Sequence, residues 1–364
     1  MKNFDIVIIG SGIAGISVGA LLSKKRSVCI IEKEREISYH STGRSFAFFI
    51  ESYGNEIIRN LTRISKEFFY ENFNKYLSKK GVLYLGNKNQ TKIVKNFFNL
   101  HKNSTNLEFL DKSKTLYKVD CLKEEYVNSS VLDVNACQID VNNLYEYYRK
   151  KFIKNKGIIK TYYDLKIVNR ENEKWILNND IKCDIIINAA GAWADEIANL
   201  FKIKKINIVP KKRTVFVFNP LNMEINPKWP LVADIEENFY FKDQSKKIYA
   251  SPADETPTFP HDCYPDEIDI ASGADKILKA TNFEFRSIEN QWSGLRSFVF
   301  DKSPVVGFDN NVHNFFWLVA QGGYGIQTAP ALAIISSHLI LNKGNYNLKN
   351  YIDYDKINVV RIRK

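Results

Sequence analysis

The feature that most constrains this chain is a glycine pattern set between a short apolar run and a predicted helix. Residues Phe4–Ile9 are rich in β-branched side chains, which predicts a strand buried on both faces in a parallel sheet. Gly10, Gly12 and Gly15 follow at once, and residues 16–22 predict a helix. In a strand–glycine–helix unit of this kind, the glycines allow a tight turn and let the backbone approach a pyrophosphate closely, and the N-terminus of the helix faces the phosphates.

A carboxylate follows at the distance that a dinucleotide site needs. Residues 27–31 predict a second buried strand that ends at Glu32, where a carboxylate can accept hydrogen bonds from ribose hydroxyls. The sequence therefore predicts dinucleotide binding, with a glycine-rich turn that holds no ligand as the alternative. The motif alone does not separate NAD from FAD. The predicted contacts in this unit are Gly10, Gly12, Ile13, Ala14, Gly15, Glu32 and Lys33.

The next segment, residues 39–49, reads YHSTGRSFAFF and changes abruptly from polar to apolar. Its hydroxyl groups can donate to a phosphate, its arginine offers a planar fork of donors, and its glycine permits close backbone approach. An alternative interpretation is a helix N-cap followed by a surface arginine. The candidate ligand contacts are Ser41, Thr42, Gly43, Arg44 and Ser45.

Residues 5–54 resemble the amino-terminal region of the D-amino acid oxidase, or glycine/sarcosine oxidase, superfamily of FAD enzymes. Within it, HSTGRS at residues 40–45 is most similar to the bacterial D-arginine dehydrogenase branch. Further similarity lies in AAGAW at 189–193, GLRSF at 294–298 and GGYGIQTAP at 322–330, so the resemblance covers nearly the whole chain. It implies that the dinucleotide is FAD.

The resemblance also implies an α/β fold of two interleaved lobes. One is a Rossmann-like FAD-binding lobe with a parallel sheet, and the other is a substrate lobe with a mainly antiparallel sheet. The predicted FAD lobe comprises residues 1–78, 140–205 and 290–364, and the predicted substrate lobe comprises residues 79–139 and 206–289.

Local patterns add elements to this outline. Asp140 is predicted to cap an amphipathic helix, and KCDIIINAA at 182–190 predicts a buried strand. Residues 65–76 and 266–288 are predicted to be helical. Alternating strands are expected between residues 205 and 265.

The resemblance implies further FAD contacts at the end of the 182–190 strand and in the glycine loop before the last helix. A helix N-terminus beside the flavin ring would stabilise negative charge, unless this is an ordinary glycine loop. We expect Thr328 to cap that helix and Pro330 to lie in its first turn. Non-covalent FAD is expected because Cys263, the last cysteine, precedes the loop where relatives attach it. The implied contacts are Ala190, Gly191, Trp193, Gly322, Gly323, Gly325, Ile326, Gln327 and Thr328.

Four residues match positions at which relatives hold the carboxylate of an amino acid. Arg296 in GLRSF and Arg213 in PKKRTVF would pair with the carboxylate, because a guanidinium fork fits both of its oxygens. Tyr53 and Tyr240 would add phenolic donors, although Tyr240 can equally be a core aromatic.

Three apolar residues stand where the D-arginine-specific relatives carry polar groups. Phe48, Ile50 and Val82 remove the partners that a desolvated cationic side chain needs, so we expect a neutral, apolar or aromatic substrate side chain. Gly323 and Tyr324 complete the expected pocket. The alternative is that Phe48 and Ile50 pack in the core and never face substrate.

These inferences predict oxidative deamination of a D-amino acid to an imino acid, which water converts to a 2-oxo acid and ammonia. The alternatives are oxidation of a secondary-amine amino acid, such as an N-methyl or cyclic one, and a flavoprotein without this activity. The electron acceptor is expected to be oxygen or a quinone or other carrier. The sequence does not decide between a monomer and a homodimer.

Composition bears on partners and location. Lys and Arg outnumber Asp and Glu by 52 to 41, a net charge of +11, but the lysines are scattered, so we expect no nucleic acid and at most weak membrane-surface association. The five cysteines form no metal-ligand spacing and no disulfide framework. We expect no metal, no integral membrane segment and a cytoplasmic location.

Overall fold

The computed structural model of the chain describes residues 1–342 and 352–363, which form three β-sheets and eight α-helices. The strands are β1 (Lys2–Ile9), β2 (Val28–Ile31), β3 (Phe48–Phe49), β4 (Leu77–Lys79), β5 (Val82–Gly86), β6 (Leu107–Asp111), β7 (Ser129–Asp133), β8 (Cys137–Ile139), β9 (Ile158–Lys160), β10 (Val168–Glu171), β11 (Lys174–Leu177), β12 (Ile181–Asn188), β13 (Val209–Phe218), β14 (Leu231–Asp234), β15 (Tyr240–Gln244), β16 (Lys247–Ser251), β17 (Asn290–Phe298), β18 (Val305–Phe308) and β19 (Phe315–Val319). The helices are α1 (Ile13–Leu22), α2 (Glu56–Glu67), α3 (Thr91–His101), α4 (Lys112–Lys118), α5 (Val141–Lys154), α6 (Ala194–Leu200), α7 (Glu267–Ala280) and α8 (Gly325–Leu341).

The first sheet has the order β10-β11-β12-β1-β2-β9, with β19 beside β12 and β18 beside β19. Its centre is parallel, because β1 pairs in parallel with β12 and β2, and β12 with β19. Both faces are covered: Ile6 and Ile8 pack under α1, α5 and α8, whereas Val7 and Ile9 belong to the core on the α6 side. The parallel sheet predicted from the β-branched runs is confirmed.

Helix α1 lies unusually close to the strand that precedes it. A Cβ on Gly15 would lie 2.0 Å from the carbonyl oxygen of Gly10, so only glycine fits at this contact. Gly10 itself has a φ of +103°, which a residue with a side chain rarely adopts. The helix begins at Ile13, three residues earlier than predicted, directly at the glycine turn.

The second sheet has the order β17-β13-β16-β15-β14-β5-β7-β6. Its pairs are antiparallel apart from β14 with β5, so the predicted, mainly antiparallel sheet is confirmed. A small third sheet has the order β3-β8-β4. The mixed α/β architecture with two large sheets is the one expected from the sequence.

The chain alternates between the two large sheets, but one lobe boundary differs from the expected one. Strand β17 was expected in the FAD lobe that resumes at residue 290, yet it pairs with β13 along its whole length in the second sheet. The crossing back therefore comes after Phe298. Residues 343–351 and 364 of the predicted 290–364 range lie outside the described residues.

Several helix bounds also differ from expectation. Helix α2 starts at Glu56, nine residues before the predicted 65–76 helix, and continues into a π-helical turn at Phe68–Asn72. Helix α7 ends at Ala280, earlier than the predicted residue 288. No helix in the described part of the chain is long and apolar enough to span a membrane.

Helix α5 supplies a test of a predicted cap. The carboxylate of Asp140 accepts a hydrogen bond from the backbone N–H of Asn143 at 2.9 Å. We expect Asp140→Ala to lower the free energy of unfolding by about 0.5–2 kcal/mol, because the first turn loses its acceptor. Urea unfolding followed by circular dichroism measures this. The control is Asn142→Ala, an exposed residue of the same turn, and equal stability of the two variants would contradict the prediction.

Candidate active site

A cavity of about 970 Å³ lies between the two large sheets. It begins where the parallel strands β1, β2 and β12 end, which is where open α/β sheets bind ligands, and it continues to β13, β14 and β15 of the second sheet. All the predicted site residues line it except Gly15, Gly43 and Thr328. The structure therefore brings the predicted cofactor and substrate residues to one connected space.

The glycine turn is fixed by the carboxylate at the end of β2. One oxygen of Glu32 accepts hydrogen bonds from the backbone N–H and the hydroxyl of Ser11, at 2.9 and 2.6 Å. The other accepts from the backbone N–H of Glu34 at 3.0 Å. Sequence reasoning missed Ser11, although it lies inside the glycine motif. Glu32 thus shapes the turn as well as bordering the cavity.

The loop at residues 38–45 is anchored to its surroundings through its hydroxyl groups. The Thr42 hydroxyl accepts from the backbone N–H of Ile13 at 2.9 Å, at the first residue of α1. The Ser41 hydroxyl donates to the carbonyl of Leu295 in β17 at 2.6 Å. Gly43 does not line the cavity, because it turns the loop and donates its N–H to the carbonyl of Ser38 at 2.7 Å.

Arg44 does not present a free fork to a phosphate as expected. One terminal nitrogen donates to the carbonyls of Cys263 and Ser293 at 2.9 and 3.0 Å, and the other donates to the carboxylate of Asp262 at 2.5 Å. Its side chain therefore joins the loop to the second lobe. Asp262 also accepts from the hydroxyl of Tyr39, which strengthens this connection.

Helix α8 begins at the cavity, but three residues before the expected cap. Its first residue is Gly325, so Thr328 lies inside the first turn, where its hydroxyl donates to the carbonyl of Tyr324 at 2.8 Å. The prediction that Thr328 caps the helix is wrong, and Pro330 is the sixth helical residue rather than part of the first turn. The first-turn residues that line the cavity are Gly325, Ile326 and Gln327.

The two predicted arginines come from neighbouring antiparallel strands. Arg213 in β13 pairs with Gly294, and Arg296 in β17 pairs with Lys211, two positions further along. Cross-strand partners share a face, so both guanidinium groups face the cavity side of the sheet. Gly323 allows this, because a Cβ there would lie 2.7 Å from a terminal nitrogen of Arg296.

The two arginines differ in how free they are. A terminal nitrogen of Arg213 pairs with Glu255 at 3.3 Å, while its buried Nε finds no acceptor within residues 1–342 and 352–363. Glu255 also accepts from Lys211 at 3.0 Å, so its charge is shared. No ion pair holds Arg296 within the same ranges. Arg296 is the guanidinium with more donors available to a ligand.

Phenol groups surround Arg296. The rings of Tyr53 and Tyr324 lie 4.9 Å apart, and Tyr240 faces the guanidinium of Arg213 at 5.9 Å. Burial raises the pKa of Tyr53, with a smaller opposing effect of Arg296, and burial also raises the pKa of Tyr324. These two phenols therefore stay protonated near neutral pH and can donate hydrogen bonds to an anion.

The three apolar residues expected around the substrate side chain lie together. Phe48, Ile50 and Val82 are buried in one cluster that also contains Tyr84 and Leu231, and all five line the cavity. These residues therefore pack in the core and also line the cavity. The sequence had left core packing and a position beside the substrate as alternatives.

A polar network behind this cluster was missed by sequence reasoning. The Ser52 hydroxyl donates to Asp133 at 2.7 Å and lies 3.1 Å from the Tyr84 hydroxyl, so Tyr84 donates to Ser52 and keeps its lone pairs for another donor. His101 and Glu237 also line this end of the cavity. Burial lowers the pKa of His101, so its ring is neutral near neutral pH. No local motif marks these residues.

The family follows from comparison with known proteins. The family model described as DAO, FAD dependent oxidoreductase, matches residues 5–339. The chain belongs to this DAO family of FAD-dependent oxidoreductases. It is similar to FAD-dependent oxidoreductase domain-containing protein 1 of Xenopus laevis, with 22% identity over 411 residues that cover 94% of this chain and 80% of the relative.

Two solved structures show how closely the fold follows that of other proteins. Glycine oxidase from Geobacillus kaustophilus superposes with a TM-score of 0.83 at 14% identity, covering 96% of this chain and 98% of the other. L-proline dehydrogenase from P. horikoshii superposes with a TM-score of 0.79 at 20% identity, covering 94% of each chain. At these identities the likeness establishes the fold.

The cavity has features that suit the FAD of this family. An added Cβ on Gly12 would meet only the Thr42 hydroxyl, at 3.2 Å, and one on Gly191 would meet no heavy atom within 4 Å. The backbone at both glycines is therefore open to a close ligand. Trp193 lies beside His40, with ring centroids 4.5 Å apart, at the edge of the same space.

The contact between Gly15 and Gly10 gives a test of the cofactor site. We expect Gly15→Ala to retain much less FAD than the wild type, because its Cβ would force α1 away from β1. The ratio of flavin to protein absorbance after gel filtration measures this. Gly19→Ala is the control in the same helix, because its Cβ would meet only side-chain atoms, at 3.2–3.3 Å. A folded Gly15→Ala protein with full flavin content would contradict the prediction.

Proposed function

We propose that this DAO-family protein oxidises the carbon–nitrogen bond of an amino acid with a neutral side chain. The observation that supports this most is the pair Arg296 and Arg213, set among the phenols of Tyr53 and Tyr240 in the FAD cavity. Guanidinium and phenol donors that converge on one cavity in this way suit a carboxylate.

Arg296 is the main anchor in this proposal, and Arg213 assists it. Arg296 has no competing ion pair within the described residues, so its fork can pair with both carboxylate oxygens. Arg213 already shares charge with Glu255, so it contributes mainly through its positive charge. Tyr53 and Tyr240 add neutral donors, which fix the orientation of the substrate without adding charge.

Bound FAD would supply a two-electron acceptor for the α-hydrogen of the substrate, which leaves as a hydride. The residues of the chain hold the substrate carboxylate and favour the neutral amine, because positive guanidinium groups nearby disfavour an ammonium group. Loss of the hydride converts the neutral amine into an iminium ion. Water then hydrolyses this ion to a 2-oxo acid and ammonium, so no side chain needs to act as a strong base.

The walls of the cavity support a neutral side chain on the substrate. Phe48, Ile50 and Val82 offer no partner to a desolvated charge. Beyond them, the Tyr84 hydroxyl is available as an acceptor, which favours a side chain that ends in an O–H or N–H group. Burial and, to a smaller extent, the positive charge of Arg59 lower the pKa of His101, and a positive charge near this end of the cavity disfavours a cationic end group.

The configuration and the substitution of the amine are also part of the proposal. The resemblance of HSTGRS to the D-arginine dehydrogenase branch supports a D-amino acid. Secondary amines are the alternative, because L-proline dehydrogenase is among the proteins that share the fold. Oxygen and a quinone or other carrier both stay open as electron acceptors.

Anaerobic bleaching of the flavin tests the reaction without assuming an electron acceptor. We expect D-leucine, D-phenylalanine and D-tyrosine to reduce the flavin rapidly, with D-tyrosine ahead of D-phenylalanine because of the Tyr84 acceptor. D-arginine and D-lysine are expected to be slow. The measurement is the rate constant of bleaching for each compound, with L-isomers, L-proline and N-methyl amino acids in the same series.

Different sets of reactive substrates would lead to different conclusions about the reaction. Bleaching only by proline or N-methyl compounds would replace the primary-amine proposal with the secondary-amine one. Faster reduction by D-arginine than by D-leucine would mean that acidic residues such as Glu237 outweigh the apolar walls. No reduction by any amine would reject amino acid oxidation altogether.

Substitution of the main anchor tests the carboxylate assignment. We expect Arg296→Lys to lower kcat/KM roughly 10- to 150-fold, because it loses a charged hydrogen bond of about 1.5–3 kcal/mol. The control is Arg286→Lys, an exposed residue outside the cavity. Unchanged kcat/KM in Arg296→Lys, with amino acids still reducing the flavin, would reject Arg296 as the anchor and leave the reaction intact.

A further inference from the structure

A second cavity, of about 420 Å³, adjoins the FAD cavity. It lies between β8, β15, the start of α5 and the loop that contains Phe46, and Phe46 lines both cavities. Its walls are partly aromatic, with Tyr76, Tyr249 and Trp292, and partly polar, with Gln138 and Gln244. The proposed oxidation of amino acids makes no use of this space.

Lys242 is the most unusual residue of the second cavity, because its side chain is only 4% exposed. Its ammonium nitrogen lies 4.1 Å from the ring centre of Phe46 and 5.4 Å from that of Phe48. No hydrogen bond or ion pair joins this nitrogen to residues 1–342 or 352–363. A buried lysine thus keeps three N–H donors that the described protein does not use.

An unpaired buried ammonium group is costly. Contacts with aromatic faces recover only part of the free energy that is lost when a charge is buried without a partner. Burial accordingly lowers the pKa of Lys242 to about 7, with Asp243 raising it and Lys80 lowering it by smaller amounts. Asp243 does not neutralise Lys242 directly, because its carboxylate is paired with Lys80 at 2.9 Å.

Two other features make the same cavity attractive to negative charge. Helix α5 is 14 residues long and starts at the cavity wall with Val141, so the positive end of its dipole lies there. Lys75 contributes a second ammonium group to the lining. The lining also contains one carboxylate, Asp140, which caps α5 through the N–H of Asn143 and offsets part of the positive potential at this helix end.

We propose that the second cavity binds a small anion, a carboxylate or a phosphate, on the ammonium group of Lys242. The anion accepts hydrogen bonds from the unused N–H groups, and Lys75 adds a favourable charge. Tyr240, Lys242 and Gln244 are at every second position of β15, so their side chains lie on the same face of the strand. Tyr240 lines the FAD cavity on this face, and Lys242 and Gln244 line the second cavity. The site does not depend on which substrate the FAD cavity takes.

Ligand-dependent thermal stability of the FAD-loaded protein tests the site. Wild type, Lys242→Met and Lys246→Met are compared in sodium chloride, sodium acetate and sodium phosphate at equal ionic strength. Lys246 is an exposed lysine in the hairpin after β15, so its substitution removes the same charge without touching the cavity. A bound anion stabilises the folded state by an amount that grows with its concentration.

We expect acetate or phosphate to raise the Tm of the wild type and of Lys246→Met. In Lys242→Met, the apparent affinity for the anion, obtained from the dependence of Tm on its concentration, is expected to be at least tenfold weaker. Lys242→Met is also expected to have the higher Tm in chloride, because it lacks the unpaired buried charge. Lys75→Met provides a second variant, with a smaller loss of affinity, should Lys242→Met fail to fold. A response to acetate alone would identify a carboxylate, and a response to phosphate alone would identify a phosphate.

Two results would overturn the proposal. One is an equal rise in Tm for the wild type and Lys242→Met, and the other is no rise in the wild type with either anion. Arg296→Lys separates this site from the FAD cavity, where acetate can also bind to the proposed carboxylate anchor. In an Arg296→Lys background, Lys242→Met is still expected to weaken the response to acetate or phosphate. Loss of that difference would place the anion in the FAD cavity and reject the second site.

Discussion

The contact between the Cα of Gly15 and the carbonyl of Gly10 is the constraint on which the rest of the site depends. It lets α1 lie directly on β1, so the first N–H groups of that helix reach the end of the strand. One of these groups, on Ile13, is held by the hydroxyl of Thr42. The loop that follows β2 is therefore positioned by the same glycine contact that opens the cofactor cavity.

The second lobe is positioned through that loop. Ser41 and Arg44 both donate to carbonyl groups of β17, at Leu295 and Ser293, and β17 carries Arg296. Strand β13 pairs with β17 over nine residues and carries Arg213. The glycine turn and the two arginines are thus linked by a short series of hydrogen bonds rather than by one shared core.

Local sequence patterns predicted those parts of the fold whose contacts are between residues close together in the sequence. The glycine turn and the Asp140 cap rest on residues within a few positions of each other, and both were predicted. Arg44 was misjudged because its partner Asp262 lies 218 residues away. Thr328 was predicted to be a cap because it has a suitable hydroxyl, but the helix already begins three residues earlier, at Gly325. The sequence gives no local signal for the burial of Lys242, because the rings next to its nitrogen, Phe46 and Phe48, lie in a distant segment of the chain.

Phe46 lines both cavities, and its ring centre lies 5.7 Å from that of Tyr240 and 4.1 Å from the ammonium nitrogen of Lys242. A packed ring of this kind cannot yield to a ligand on one side without changing the space on the other. If filling one cavity alters the affinity of the other, linkage requires the reverse effect to be equal in size. Through Phe46, binding of an anion at Lys242 would then change the affinity of the flavin cavity for its ligand, and binding in the flavin cavity would change the affinity of Lys242 for the anion.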